Sequence, residues 1–141
     1  NFWTKTCGPC LEEFPDLAEL AGVLKTRNDV AMLAVSIDDG PSDVAPTLKS
    51  VLKGDPPFPI LFDPESKIVK GKYGTTLFPE TWIIDKQGVI RARFDGGKDW
   101  TNPTIVELVD QIRRGDYCKV RIKDGTPEGD GAAICETLRG G

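Results

Sequence analysis

A helix-period stretch that opens on two closely spaced cysteines constrains this chain more than any other feature. Asn1-Phe2-Trp3 reads as the tail of a strand, and Cys7-Gly8-Pro9-Cys10 follows within four residues. From Pro9 to about Lys25, Leu11, Phe14, Leu17, Ala18, Ala21 and Leu24 recur at spacings of three and four, the period of a helix with one buried face. Pro9 suits the first helical turn, where its missing N–H costs nothing. Pro15 falls inside the pattern and predicts a kink. The chain must therefore hold a dithiol at a strand-to-helix junction.

The remaining apolar pattern alternates in type. Val30-Ala31-Met32-Leu33-Ala34-Val35-Ser36-Ile37 is nearly continuous and predicts a strand buried on both faces. Asp43 to Lys53 reads as a weaker helix disturbed by Pro46. Phe58 to Phe62 reads as a strand, Glu65 to Tyr73 as a short helix, and Glu80 to Ile84 as a strand. Asp85-Lys86-Gln87-Gly88 is a turn, and Val89 to Phe94 returns as a strand near an edge. Pro103 to Arg114 is a helix with Ile105, Leu108, Val109 and Ile112 on one face, capped by Thr101 or Asn102. Alternation of this kind predicts an α/β sheet with helices on both faces and a closing antiparallel hairpin. From Gly115 the character changes, and only Val120 with Ile122 suggests a strand. The expected organisation is a domain over 1–114 and an extension over 115–141.

The chemistry narrows quickly. The chain has 141 residues, four cysteines and no histidine. Lacking histidine, it excludes Cys–His and Ser–His hydrolases and histidine-ligated metal sites. A net charge of −4 with no run of like charges argues against nucleic acid and anionic membrane surfaces. A thiol attacks a disulfide only as its thiolate. At a helix start, free backbone N–H groups and the helix dipole favour that anion. Cys7 is thus the expected nucleophile and Cys10 the resolving thiol, with Gly8 and Pro9 between them. Glu13, three residues beyond Cys10, is placed to exchange a proton with it, and Lys5 to add positive potential near Cys7. Half a zinc knuckle shares the dithiol's spacing. Zinc needs two more ligands, however, and Cys118 and Cys135 lack knuckle spacing. The expectation is no metal and no cofactor.

Two blocks carry a resemblance. Asn1-Phe2-Trp3-Thr4-Lys5-Thr6-Cys7-Gly8-Pro9-Cys10-Leu11-Glu12-Glu13-Phe14-Pro15 contains Cys-x-x-Cys-x-x-Glu-x-Pro at Cys7, Cys10, Glu13 and Pro15. Tyr73-Gly74-Thr75-Thr76-Leu77-Phe78-Pro79-Glu80-Thr81-Trp82-Ile83-Ile84-Asp85-Lys86-Gln87-Gly88 is similar to a second signature. Together they resemble the TlpA-, ResA- and CcmG-like extracytoplasmic thioredoxin family of bacteria, which includes the membrane-anchored reductases of cytochrome c maturation. The resemblance covers about residues 1 to 114. It implies a thioredoxin-like central mixed sheet flanked by helices, with an inserted helix and strand between the motifs; the C-terminal tail is extra to that pattern. It implies that Pro79 is a cis-proline facing the dithiol, with the Phe78 backbone offered to an extended substrate. Thr6, Gly8 and Pro9 would share that substrate surface, and Glu80 would contact partners or sit as surface charge. It further implies exported protein disulfides as substrates, a membrane thiol carrier as electron donor, an extracytoplasmic location and a monomer.

Two features depart from that pattern. Thr6 stands where the family usually has tryptophan, which removes a flat aromatic from the binding surface. The family's domain also begins with further strands, among them the central one. The resemblance therefore predicts roughly 30–40 residues of domain before Asn1, preceded by an export signal or anchor. In the tail, a Cys118–Cys135 bridge would close a loop of 18 residues and stabilise by about 3 kcal/mol in the chain-entropy model. Val120, Ile122 and the turn Asp124-Gly125 would form one arm of a hairpin around it. Other functional readings remain open. Thr4-Lys5-Thr6-Cys7 fits the Thr-x-x-Cys of a peroxiredoxin-like thiol peroxidase, with Arg91 or Arg93 polarising a peroxide. A redox-inert binding module on the same scaffold is the third.

Overall fold

A computed structural model describes residues 1–115 and the backbone of two short strands beyond them. The elements run β1 (Phe2–Trp3), α1 (Gly8–Leu24), β2 (Ala34–Ser36), α2 (Pro41–Leu52), β3 (Ile60–Phe62), β4 (Glu80–Ile84), β5 (Ile90–Asp95) and α3 (Pro103–Arg114). Then come β6 (Arg121–Lys123) and β7 (Thr126–Glu128), paired antiparallel with Ile122 opposite Pro127. This small hairpin lies where the sequence placed one. The expected Cys118–Cys135 bridge and Val120 lie outside the described residues.

The main sheet has the order β3-β2-β1-β4-β5. β1, β2 and β3 are mutually parallel, and β4 and β5 run antiparallel, which makes the sheet mixed. The two residues of β1 thus occupy its centre. Adjacent strand residues point to opposite faces, and here they organise two clusters. Trp3, fully buried, packs edge-on against Phe14 of α1 at 4.7 Å between ring centroids. Around it gather Leu17, Leu20 and Leu24 of α1, Val44 and Leu48 of α2, and Ile105 and Val109 of α3. Phe2 meets Tyr73 at 5.0 Å, and Tyr73 meets Trp82 at 5.3 Å.

Two expectations need correction. The strand read over Val30–Ile37 shrinks to Ala34–Ser36, and Leu33 is 45% exposed. A strand exists only where a ladder partner runs beside it, and β1 and β3 are short. Residues 30–33 instead line a cavity of about 440 Å³, together with Trp82 and Ile84 of β4 and Leu20 of α1. The second correction concerns Glu65–Tyr73, which forms successive irregular turns rather than a helix. Ser66 adopts a left-handed φ of +52°, and Gly71 N–H reaches back five residues to Ser66 O. The Asp63 carboxylate fixes these turns by accepting from the amides of Lys67, Ile68 and Val69. Through Tyr73 this turn segment packs on Phe2.

The remaining elements follow the sequence. Helix α1 runs through Pro15. β5 is a sheet edge. The β4–β5 turn closes on Gly88 at φ +80°, with the Asp85 carboxylate accepting from Gln87 N and Val89 N. Asn102 caps α3 by accepting from Thr104 N at 3.0 Å.

Candidate active site

Cys7 is the N-cap of α1, with extended backbone angles (φ −90°, ψ 102°). Its sulfur takes the place of the usual capping oxygen and accepts from Cys10 N at 3.2 Å. Cys7 N–H donates to Thr4 O at 3.1 Å, which closes the turn that brings β1 into the helix. Cys7 and Cys10 are disulfide-bonded, with Cα atoms 5.3 Å apart. The two sulfurs differ in access, since Cys7 is half-buried and Cys10 is 0% exposed. Thr6, Gly8 and Pro9 are exposed around them.

Two other segments converge on this helix start. The Phe78–Pro79 peptide bond is cis. Phe2 pairs with Glu80 in the antiparallel β1–β4 ladder. Continuing that register sets Pro79 beside Trp3, at the end of the sheet where the Thr4–Cys7 turn departs. Gly96, at φ +74°, donates its N–H to Pro79 O at 2.9 Å. A Cβ added to the next residue, Gly97, would stand 3.6 Å from Pro9 O. The dithiol, the proline segment and the β5–α3 loop therefore form one neighbourhood. The Phe78 side chain packs against the core. The exposed apolar side chain of the segment is Leu77, at 82%, which the sequence reading passed over.

Glu13 sits beneath the dithiol on α1, 3% exposed. Its carboxylate accepts from Asn1 Nδ2 at 2.8 Å, Lys98 N at 3.1 Å and Trp100 Nε1 at 2.8 Å. Burial raises its pKa above the ordinary carboxylate value, while the bonds from Trp100, Lys98 and Asn1 act in the opposite direction. A carboxyl held this way can take up and give back a proton inside the protein. Trp100 was also missed. It is 1% exposed and packs edge-on to Phe94 at 5.4 Å. Its only sequence signal is a tryptophan ending the polar run Asp95-Gly96-Gly97-Lys98-Asp99.

Lys5 and Glu80 are placed differently from expectation. The Lys5 ammonium is bonded to Asp43 of α2, which raises its pKa, so its charge is engaged there rather than on Cys7. Glu80 is 2% exposed, neither surface charge nor a partner contact. It accepts from Thr75 Oγ1 and Arg93 Nε, and the Arg93 guanidinium lies 5.1 Å over the Trp82 ring. Among the described residues no group of three His, Cys, Asp or Glu side chains is arranged to hold a metal ion.

Residues 1–93 match the AhpC/TSA family model, and the chain belongs to that family. It is 35% identical over 111 residues to a protein of Paracoccus denitrificans named thiol:disulfide interchange protein DsbE homolog, an alignment covering 77% of this chain and 57% of that one. It is 30% identical to the thiol-disulfide oxidoreductase ResA of Geobacillus thermodenitrificans, covering 68% of this chain and 52% of the other. The chain thus spans about half the length of the curated relatives it matches. Among solved structures, the thioredoxin domain of a thiol-disulfide oxidoreductase from Bacteroides vulgatus superposes with a TM-score of 0.61 at 25% identity, over 77% of this chain and 75% of that one. The fold is thioredoxin-like.

Proposed function

We propose that this chain is a thiol–disulfide oxidoreductase that reduces disulfides in exported proteins, working through Cys7 and Cys10. The observation that carries the reading is the unequal access of the two sulfurs, with the reachable one capping a helix. The Cys7 thiolate, favoured by the helix start, attacks one substrate sulfur. A Cys7–substrate disulfide forms, and the departing substrate thiolate takes a proton. Cys10 loses its proton, with Glu13 the nearby buried acceptor on the same helix, and attacks the Cys7 sulfur. The second substrate thiol leaves, and two electrons have passed from the dithiol to the substrate. Thr6, Gly8 and Pro9, all exposed, and the Phe78 backbone would hold an extended substrate across the site, with Pro79, whose side chain is fully buried, setting the course of that backbone.

In this reading a membrane thiol carrier restores the dithiol outside the cytoplasm. A place in cytochrome c maturation is compatible with this reading, and the exported proteins with disulfides are its substrate class. What the likeness to an interchange protein and to a thiol-disulfide oxidoreductase supports is disulfide exchange itself. The arginines that a peroxidase would use are engaged elsewhere. Arg91 pairs with Asp85, and Arg93 with Glu80 and Asp95.

The test is the equilibrium potential of the Cys7–Cys10 pair together with capture of partners by Cys10→Ser. The expected potential lies near that of reducing thioredoxins, about −270 mV, and Cys10→Ser accumulates mixed disulfides through Cys7. A potential near −120 mV would overturn the reductive direction. A pair that excess dithiol cannot reduce would overturn the activity altogether, and rapid peroxide turnover lost in Cys7→Ser would favour the peroxidase.

A further inference from the structure

The turn that carries Cys7 is held from outside by a residue no motif includes. Asp38 follows β2. Its Oδ1 accepts from Thr4 Oγ1 at 2.9 Å, and its Oδ2 accepts from Lys5 N at 2.8 Å and from Ser36 Oγ at 2.6 Å. The Asp38 amide donates back to Ser36 Oγ at 2.9 Å, and Ser36 is itself 0% exposed. Next to it, Ile37 N donates to Trp3 O. A chain of hydrogen bonds thus runs from the buried end of β2 through one carboxylate to Thr4 and Lys5. Thr4 O in turn receives the Cys7 amide.

The charge is as telling as the bonds. From Lys5 to Cys7 is two residues, at most about 8 Å along the chain. Lys5 is the cation of this turn, and its ammonium is bonded to Asp43. Asp39 also faces Lys5, while Glu13 of α1 lies buried beneath the dithiol with Lys98 offering it only a backbone N–H. Asp43 is paired with the Lys5 ammonium, and Asp38 is the anion bonded to the backbone of the segment bearing the nucleophile.

We propose that Asp38 is a positioning residue for Cys7: its hydrogen bonds fix the Thr4–Cys7 turn, and its charge opposes formation of the thiolate that the turn presents. This rests on the redox reading above and specifies how that site is tuned.

Two substitutions separate the two effects. In Asp38→Asn the side-chain oxygen still accepts from Lys5 N, and its amide can donate to the Thr4 hydroxyl, so the turn is kept and the charge removed. Asp38→Ala removes both. The reduced proteins are alkylated with iodoacetamide across a pH series, and the Cys7 peptide is read by mass spectrometry. Disulfide formation is then equilibrated against glutathione. For Asp38→Asn the alkylation midpoint moves to lower pH, giving about fivefold more thiolate below the midpoint, with the glutathione equilibrium changed only by that amount. For Asp38→Ala the same midpoint change is joined by about a tenfold loss in closing the Cys7–Cys10 ring, the cost of a loosened turn. An Asp38→Asn midpoint that coincides with wild type, or rises, overturns the proposal. A wild-type pair that cannot be reduced overturns the redox reading instead, so the two failures are distinct.

Discussion

Replacing Trp100 by Phe should destabilise the fold, and more at neutral pH than in acid. The substitution keeps most of the buried ring and deletes the indole N–H that donates to Glu13 Oε2 at 2.8 Å. A hydrogen bond to a charged acceptor contributes about 1.5–3 kcal/mol, against about 0.5–1.5 kcal/mol for a neutral pair. The carboxylate therefore loses about 1 kcal/mol more than the carboxylic acid does. The sign follows from linkage. Burial raises the Glu13 pKa in the folded state, so the folded chain binds this proton more readily than the unfolded chain. The burial cost is absent below the ordinary carboxylate value and develops as pH rises through the folded one. Losing the Trp100 donor, which lowers that pKa, steepens the decline. Urea unfolding followed by circular dichroism at about pH 4 and about pH 7.5 should show the variant weakened at both, by about 1 kcal/mol more at the higher value, about 4 °C in melting temperature. In a Glu13→Gln background the extra loss should vanish. Equal destabilisation at both pH values, or no change in the Gln background, would refute the account of Glu13 as a buried carboxylate held by Trp100.

Three further outcomes are expected. Phe14→Ala, deleting a fully buried ring that meets Trp3 and Phe58, should cost about 3–5 kcal/mol in urea unfolding with an unchanged m-value. Asp63→Ala should remove the acceptor for three successive amides and speed hydrogen exchange at residues 67–69 while α1 amides keep their protection. The Asp110 carboxyl, bonded to Arg27 and lowered to about 2, should titrate near that value by NMR and return towards the ordinary range in Arg27→Ala. Its stabilising contribution is present above the ordinary carboxylate value and is lost as pH falls through about 2.

The elements with their own local signal were legible. Helices α1 and α3 have apolar period, a start residue and a stop, and the β4–β5 hairpin has its Asp-x-x-Gly turn. What escaped depends on partners distant in sequence. The apolar run over Val30–Ile37 reads as one long strand, yet how much of it pairs is decided by β1 and β3. Glu65–Tyr73 has a helical composition, but a single carboxylate on Asp63 and a left-handed Ser66 turn it irregular. At the site, the cysteines and Glu13 were visible through spacing. Trp100 and Asp38 were not, because each bonds a neighbour of the dithiol, Glu13 or the Thr4–Lys5 turn, from across the fold, and no local pattern records that.

The unequal exposure of the two sulfurs has a kinetic consequence. A sulfur with no access to solvent meets only what is already tethered to its neighbour. Its attack is therefore intramolecular, at an effective molarity fixed by the helix and indifferent to how much protein or free thiol surrounds it. Release of a captured partner should proceed at the same rate in dilute and in crowded solution, while capture itself slows in proportion to dilution.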